Sequence, residues 1–146
     1  MGAPSTTSLE ALETPPQSSG RGLFKHLAYS RSPYKKRFLI RSGKKLLFRN
    51  VTDVAYFFAD GKEVYLVPCK DSRRYLIDYT LEALEKKLDP VFFFRISRKF
   101  IVNIESVAEV KGMVSTRLQV RLNQLCEHEL HVSRDRSMAF KQWLDY

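Results

Sequence analysis

The chain has 146 residues, a formal net charge of +9 and an isoelectric point near 9.7. This length suits one domain with a tail and excludes a barrel enzyme or a two-domain dehydrogenase. The positive charge favours an acidic partner, such as nucleic acid, an anionic membrane or an acidic protein.

The N-terminal segment differs in composition from the rest of the chain. Residues 1–22 contain no aromatic residue and are rich in Ser, Thr, Pro and Gly, so they offer too little apolar surface to offset the entropy of ordering. We predict a disordered or linker segment over residues 1–36 and a folded domain over residues 37–146. The segment has no basic-then-apolar signal pattern, and no apolar run in the chain approaches the roughly 20 residues of a membrane span. We therefore expect a cytoplasmic protein.

The first half of the domain alternates short apolar runs with turn residues, which is typical of antiparallel strands. Turns are predicted at Ser42-Gly43 and at Asp60-Gly61, the second because a type I′ hairpin turn needs positive φ at both central positions. Pro68 lacks a backbone donor and indicates a strand that ends at or near a sheet edge. The predicted strands are Phe38–Arg41, Lys45–Arg49, Val51–Phe58, Glu63–Val67 and Arg73–Ile77.

One helix is predicted in the middle of the chain, over Thr80–Leu88. Its leucines recur at every third or fourth position and share one face. Thr80 is placed to cap the first turn, and Glu82 lies four residues before Lys86, the spacing of a stabilising ion pair. Asp89-Pro90 ends the helix, because a residue before proline disfavours helical geometry.

The C-terminal part is predicted to contain two more alternating strands, Thr116–Asn123 and Glu127–Ser133, and a last helix. Ser133 is predicted to cap that helix, which runs from Arg134 to about Leu144. Its expected apolar side comprises Met138, Phe140, Trp143 and Leu144. The predicted fold class is mainly β, with short antiparallel strands in small packed sheets, one central helix and one C-terminal helix.

The sequence contains no catalytic constellation that we can identify. It has no glycine-rich phosphate loop and no nucleophile elbow. The stretch Glu127–His131 superficially resembles a zinc helix, but one residue too few separates its histidines and its alternation favours a strand, so His128 is interpreted as a core histidine. Cys69 and Cys126 are expected to be free, buried thiols. We predict no catalytic residue, no metal ligand and no cofactor.

Basic residues are concentrated in three places. Between Arg31 and Arg49 the chain has eight Lys or Arg and no acid, which indicates either a solvated face or a sequence-independent phosphate contact. The second place is Arg98 and Lys99, within the apolar stretch Phe92–Asn103. Because burying an unpaired guanidinium is too costly, a turn must expose both side chains together.

The third place is Arg134 and Arg136, at the predicted start of the last helix. Cations are slightly unfavourable at a helix N-terminus, so two of them there indicate an anion nearby. Surface screening could equally make them harmless.

These motifs, in this order, resemble the LytTR DNA-binding domain. The stretch Phe92–Asn103 resembles the family block F-x-R-x-H-R-S-x-x-V-N, and Val132-Ser133-Arg134 resembles the V-S-R that precedes the family's last helix. Ser97 stands where histidine is usual, and Lys99 stands where serine is usual. The match runs from about Phe38 to Leu144 and so covers most of the chain.

The resemblance implies a mostly β fold that contacts DNA through loops instead of a recognition helix. We assign base reading in the major groove to Arg98 and Arg134. Lys99, Arg136 and part of the 31–49 cluster are assigned to phosphates. The implied DNA-binding residues are Lys62 and Glu63 after the long strand, Arg98 and Lys99 in the cationic turn, and Arg134, Asp135 and Arg136 at the last helix.

The resemblance also implies partners. Members of the family are commonly the output halves of two-component response regulators, so we expect a transcription regulator that binds promoter repeats in double-stranded DNA as a homodimer. Residues 1–36 are too short and too polar to form a receiver. We therefore expect either an output domain whose upstream receiver domain or sensor kinase lies outside this chain, or a stand-alone member of the family.

Two other functions remain open at this point. An RNA-binding β module would stack bases on Tyr56, Phe57, Phe58 or Phe92–Phe94. A peripheral membrane module would use the 31–49 cluster with Phe38 and Phe48 as anchors.

The N-terminal segment gives a first testable prediction. Deleting residues 1–22 should leave both the melting temperature and the affinity for DNA nearly unchanged, because these residues lack apolar anchors. A thermal melt and a duplex-binding titration of the shortened chain test this. A large fall in either quantity would mean that the segment packs against the domain.

Overall fold

The structure is a computed structural model that describes residues 33–112 and 117–146. Residues Tyr34–Tyr146 form one compact unit, and the predicted tail over 1–22 lies outside the described residues. The described chain contains two helices, α1 (Leu81–Lys87) and α2 (Ser137–Leu144). Its strands are β1 (Arg37–Ser42), β2 (Lys45–Asn50), β3 (Val54–Asp60), β4 (Glu63–Pro68), β5 (Tyr75–Ile77), β6 (Phe93–Arg95), β7 (Phe100–Asn103), β8 (Val107–Gly112), β9 (Leu118–Leu122) and β10 (Leu130–Val132).

The described strands form three small antiparallel sheets. Their orders are β1-β2, β5-β4-β3-β7-β6 and β10-β9-β8. The predicted mainly β fold class, with one central and one C-terminal helix, is confirmed.

The β1-β2 hairpin places one face against the core and the other in solvent. Phe38 and Ile40 are fully buried, whereas Leu39 and Phe48, which pair across the strands, are mostly exposed. Ser42 pairs with Lys45, so the turn is Gly43-Lys44, one residue later than predicted. Gly43 has a φ of 63°, a conformation that favours glycine.

The long strand β3 begins three residues later than predicted. Val51–Asp53 form one turn of 3₁₀ helix, with Val51 buried, and an apolar pattern alone does not separate such a turn from a strand. At the other end Asp60 pairs with Glu63, so the hairpin turn is Gly61-Lys62. Gly61 has a φ of 65°.

The neighbouring strands agree with the proline signal, although β4 ends one residue later than predicted and β5 is shorter than predicted. β4 lies between β3 and β5, yet β5 pairs only with Val64–Leu66. Pro68 therefore lies beyond the paired stretch on that side, as its missing donor indicates. β5 covers Tyr75–Ile77 instead of Arg73–Ile77.

The two helices begin in different ways. The Thr80 Oγ1 accepts a hydrogen bond from the Ala83 amide at 3.0 Å, so the predicted cap of α1 is confirmed. The predicted cap of the last helix is wrong. Residues Arg134–Arg136 form a 3₁₀ turn and α2 begins at Ser137, while the Ser133 hydroxyl donates to the Ile96 carbonyl at 3.3 Å.

The three-stranded sheet contains two predicted strands, β9 and β10, and one unpredicted strand, β8. β9 alternates as expected, with Leu118, Val120 and Leu122 buried. β8 is not predicted from the sequence, because none of its residues is fully buried and apolar and polar residues do not alternate along it. β10 is shorter than the predicted strand over Glu127–Ser133.

One core cluster lies between the five-stranded sheet, the three-stranded sheet and α2. Phe58, Val102, Val120, Val132 and Phe140 meet there. Met138 is 73% exposed, so the predicted apolar side of the last helix is wrong at this position.

Asn103 is a partnered polar group of the core, whereas the buried ring nitrogens His128 Nε2 and His131 Nδ1 have no hydrogen-bond partner among the described residues. The cysteines are free thiols as predicted, but both are half-buried instead of buried. Asn103 is fully buried, donates to the Val54 carbonyl at 2.8 Å and accepts from the Glu105 amide at 2.9 Å. Cys126 is half-buried. The pKa of the Tyr56 phenol is raised, chiefly because Tyr56 is buried and secondly because its side chain contacts Cys126. His128 packs against the rings of the core, with its centroid 4.4 Å from that of Phe58.

Candidate nucleic-acid interface

Two of the three predicted DNA-contacting loops lie at the same end of the five-stranded sheet. The β3-β4 turn follows directly from β3, and the β6-β7 turn precedes β7. Phe58 of β3 pairs with Phe100 of β7, and the Ala59 amide donates to the Lys99 carbonyl at 2.9 Å. The register therefore brings Lys62 and Lys99 to the same end of the sheet.

The third loop is attached to the second by two hydrogen bonds. The Ser133 amide donates to the Ile96 carbonyl at 2.8 Å, and the Ser133 hydroxyl donates to the same oxygen. Because Ser133 directly precedes Arg134, this contact fixes the position of the Arg134 backbone relative to the β6-β7 turn.

The β6-β7 turn and the 3₁₀ turn enclose one groove, which we call the cationic groove. Its volume is about 430 Å³, and Arg98, Lys99 and Arg134 line it together with Arg117 and His131. Arg98 and Lys99 are exposed, as the interrupted apolar pattern predicts. Within the described residues neither these two side chains nor Arg134 forms an ion pair. The groove thus presents these three cations without an ion-pair partner among the described residues, and Arg117 and the acidic residue Glu129 line it as well.

Lys62 and Glu63 line a second groove, of about 820 Å³, with Lys35 and Arg41 from the basic cluster. Glu63 is also engaged locally, because the Tyr65 hydroxyl donates to its carboxylate at 2.9 Å and this bond raises the pKa of Tyr65. Part of the basic cluster therefore adjoins the β3-β4 turn.

Arg136 faces a different direction from the other predicted contacts. Its Nη1 donates to the Arg95 carbonyl at 3.2 Å and lies 3.6 Å from a Glu85 carboxylate oxygen. It does not line the cationic groove. Asp135, its neighbour in the 3₁₀ turn, is exposed.

Sequence reasoning missed Arg95. Its side chain is only 8% exposed and contacts Glu82 and Glu85 of α1 at 3.3 and 3.1 Å. The same guanidinium donates to the carbonyls of Ser97 and Arg98. The sequence signal for this role is the pair of glutamates, Glu82 and Glu85, three residues apart on α1. The sequence alone pairs Glu82 with Lys86 instead, because those two residues have the spacing of a helical ion pair.

The Glu82–Arg95 contact predicts a pH dependence of stability. The pKa of Glu82 falls below its ordinary value of 4.5, first through its own backbone amide and then through Arg95. A group whose pKa is lower in the folded state stabilises the fold at pH values above its unfolded-state pKa. This stabilisation is lost as the pH falls through the folded-state pKa. The melting temperature of Glu82→Gln should therefore lie below that of the wild type near neutral pH and converge with it below pH 4. A difference that stays constant down to pH 3 would contradict the prediction.

A sequence profile of the LytTr DNA-binding domain matches residues 44–145. The chain belongs to the LytTR DNA-binding domain family. Relatives of this LytTR domain include the transcriptional regulatory protein YpdB of Escherichia coli K12 and of Shigella flexneri, each 26% identical over 99 residues. The match covers 68% of this chain and 39% of each relative, so the chain spans about two fifths of their length.

A solved structure supports the fold of this LytTR domain. The LytTr DNA-binding domain from Bacillus cereus superposes with a TM-score of 0.68 at 19% sequence identity. The superposition covers 77% of this chain and 99% of that domain.

The two alternative functions are not favoured for this LytTR domain. The rings of Tyr56, Phe57, Phe58 and Phe93 are buried in the core and leave no stacking platform there for RNA bases. Of the two predicted membrane anchors, Phe38 is fully buried. Neither helix of the described chain has the length and apolar character that a membrane span requires.

Proposed function

We propose that this LytTR domain binds specific sequences of double-stranded DNA and regulates transcription without catalysing a reaction. The observation that supports this most directly is the cationic groove. Two loops joined by hydrogen bonds hold Arg98, Lys99 and Arg134 around it, and the surrounding strands limit how far the loops can separate. Unpaired cations on rigid supports suit the contact of an anionic polymer with fixed geometry.

Each side chain has a proposed role that follows from its chemistry. Arg98 and Arg134 read guanine, since a planar guanidinium matches the O6 and N7 acceptors in the major groove. Lys99 contacts phosphate as a mobile point charge. Lys62 contacts phosphate at the second groove. The carboxylates of Glu63 and Asp135 can accept a hydrogen bond from the N4 amino group of cytosine.

The assembly is also a proposal. We infer a homodimer on repeated promoter sites, cytoplasmic in location, with a receiver domain or sensor kinase acting upstream outside this chain. The support is that longer relatives, of which the match covers 39%, carry the name transcriptional regulatory protein.

The proposal predicts a steep salt dependence. A duplex preferred by the whole chain would be selected from a random-sequence pool, and its dissociation constant measured from about 50 to 200 mM salt. The logarithm of affinity should fall with the logarithm of salt by about 0.9 for each phosphate neutralised. Lys99, Lys62 and the neighbouring basic residues should give a slope of several phosphates.

Two controls complete this experiment. Single-stranded RNA and anionic vesicles would be titrated beside the duplex. Selection of no preferred duplex, or a flat salt dependence, would contradict the proposed function, and so would tighter binding to RNA or vesicles than to duplex DNA.

A further inference from the structure

Arg95 is the centre of a polar network beside the cationic groove. Its Nε donates to the Ser97 carbonyl at 3.1 Å, and its Nη2 donates to the Arg98 carbonyl at 2.9 Å. The Arg95 side chain is 8% exposed, so the guanidinium itself is largely shielded from water, although the Arg98 carbonyl that it contacts lies at the surface. The guanidinium therefore holds two consecutive backbone carbonyls in the turn that carries Arg98 and Lys99.

The other side of the guanidinium is anchored on α1. Nη1 donates to Glu85 at 3.1 Å and Nη2 donates to Glu82 at 3.3 Å. Glu82 is mostly exposed, whereas Glu85 is 41% exposed, and exposed ion pairs are weak. Glu85 is thus the more important anchor of the two.

Glu85 also contacts the third predicted DNA-contacting loop, the 3₁₀ turn that carries Arg134. One of its carboxylate oxygens contacts Arg95 and the other lies 3.6 Å from Arg136. Arg136 in turn donates to the Arg95 carbonyl at 3.2 Å. A single carboxylate on α1 therefore connects the turn that carries Arg98 to the 3₁₀ turn that carries Arg134.

We propose that Arg95, Glu85 and Arg136 form a positioning network that sets the spacing of Arg98 and Arg134 for reading bases. None of the three lines the cationic groove, so they act through the loops and do not contact bases. The proposal rests on the proposed function of the groove. It assigns Arg136 to positioning, because its guanidinium is directed at α1.

The physical reason is the planar fork of arginine. A guanidinium can donate to two carbonyls and two carboxylates at once, whereas an ammonium on a flexible stem offers three donors and no fixed plane. Arg95→Lys keeps the charge of the domain and with it the general attraction to phosphates. It removes the simultaneous contacts that hold the turn.

The test compares specific with random binding for charge-conserving variants of the whole chain. Arg95→Lys should weaken binding to the selected duplex at least tenfold, while affinity for random duplex and the salt slope stay within about twofold. The measurement is made well below the melting temperature of each variant. Arg121→Lys is the matched control, because Arg121 pairs with Glu109 on the three-stranded sheet at 61% exposure, and it should change neither affinity.

A second pair of variants keeps the test valid if Arg95→Lys fails to fold. Glu85→Gln retains an acceptor for the two arginines, whereas Glu85→Ala retains none. Specific affinity should fall in Glu85→Ala and return towards the wild-type value in Glu85→Gln. Amide hydrogen exchange at residues 97–99 should quicken in Glu85→Ala only.

The outcomes separate this inference from the proposed function. If Arg98→Ala loses discrimination while Arg95→Lys and Glu85→Ala keep it, the positioning network is refuted and the groove stands. If Arg98→Ala and Arg134→Ala also both keep discrimination, the proposed function of the groove itself fails. Equal losses on specific and random duplex in Arg95→Lys would likewise overturn the network.

Discussion

The substitutions Arg98→Ala and Arg134→Ala should each cost about 1–3 kcal/mol of binding free energy on the preferred duplex and much less on random duplex. Both guanidiniums line the cationic groove and form no ion pair within the described chain. Truncation should therefore remove the proposed base contact without leaving a buried protein charge unpaired. The measurement is the ratio of specific to random dissociation constants, with a thermal melt of each variant.

Lys99→Ala is the matched control for this prediction. Lys99 lies in the same turn as Arg98 and is similarly exposed, but its ammonium lacks the fork that recognises guanine. Its removal should weaken both kinds of binding alike and reduce the salt slope by about one phosphate. The assignment would be overturned if the specific-to-random ratio were unchanged in both arginine variants. A lowered melting temperature with an unchanged ratio would instead identify Arg98 as a structural residue.

The elements that sequence predicted well are those with a local physical signal. The β1-β2 hairpin, β9 and α1 each combine a period with turn or capping residues, as Thr80 shows for α1. The start of β3 was misplaced because Val51 is buried in a 3₁₀ turn just as it would be in a strand. β8 was missed since its side chains are only half-buried or exposed. These errors arise where burial does not follow a local period.

The candidate site divides in the same way. Exposure of Arg98 followed from the cost of burying a charge in an apolar strand, and that reasoning needs only neighbouring residues. The direction of Arg136 depends on Glu85, which lies 51 residues earlier in the sequence. The role of Arg95 depends on the same contact with α1. Such partners are set by the packing of α1 against the sheet, which no local pattern contains.

Phe140→Ala should have a large effect on stability. Phe140 is fully buried, and its ring lies 5.4 Å from that of Phe94 and 5.6 Å from that of Trp143. Truncating a buried phenylalanine to alanine costs about 3–5 kcal/mol, a large share of the roughly 5–15 kcal/mol that stabilises a typical domain. Denaturant unfolding of the whole chain measures this loss directly.

The position of α2 explains why this residue matters to the groove as well as to the core. α2 has eight residues, too few to be stable in isolation, so packing must hold it and the 3₁₀ turn before it. Met138→Ala is the control on the same helix, because Met138 is 73% exposed and should change stability by less than about 0.5 kcal/mol. If Phe140→Ala cost no more than Met138→Ala, α2 would not be anchored through Phe140. In that case the Ser133–Ile96 hydrogen bonds and the Arg136–Glu85 contact would have to hold Arg134 in place without it.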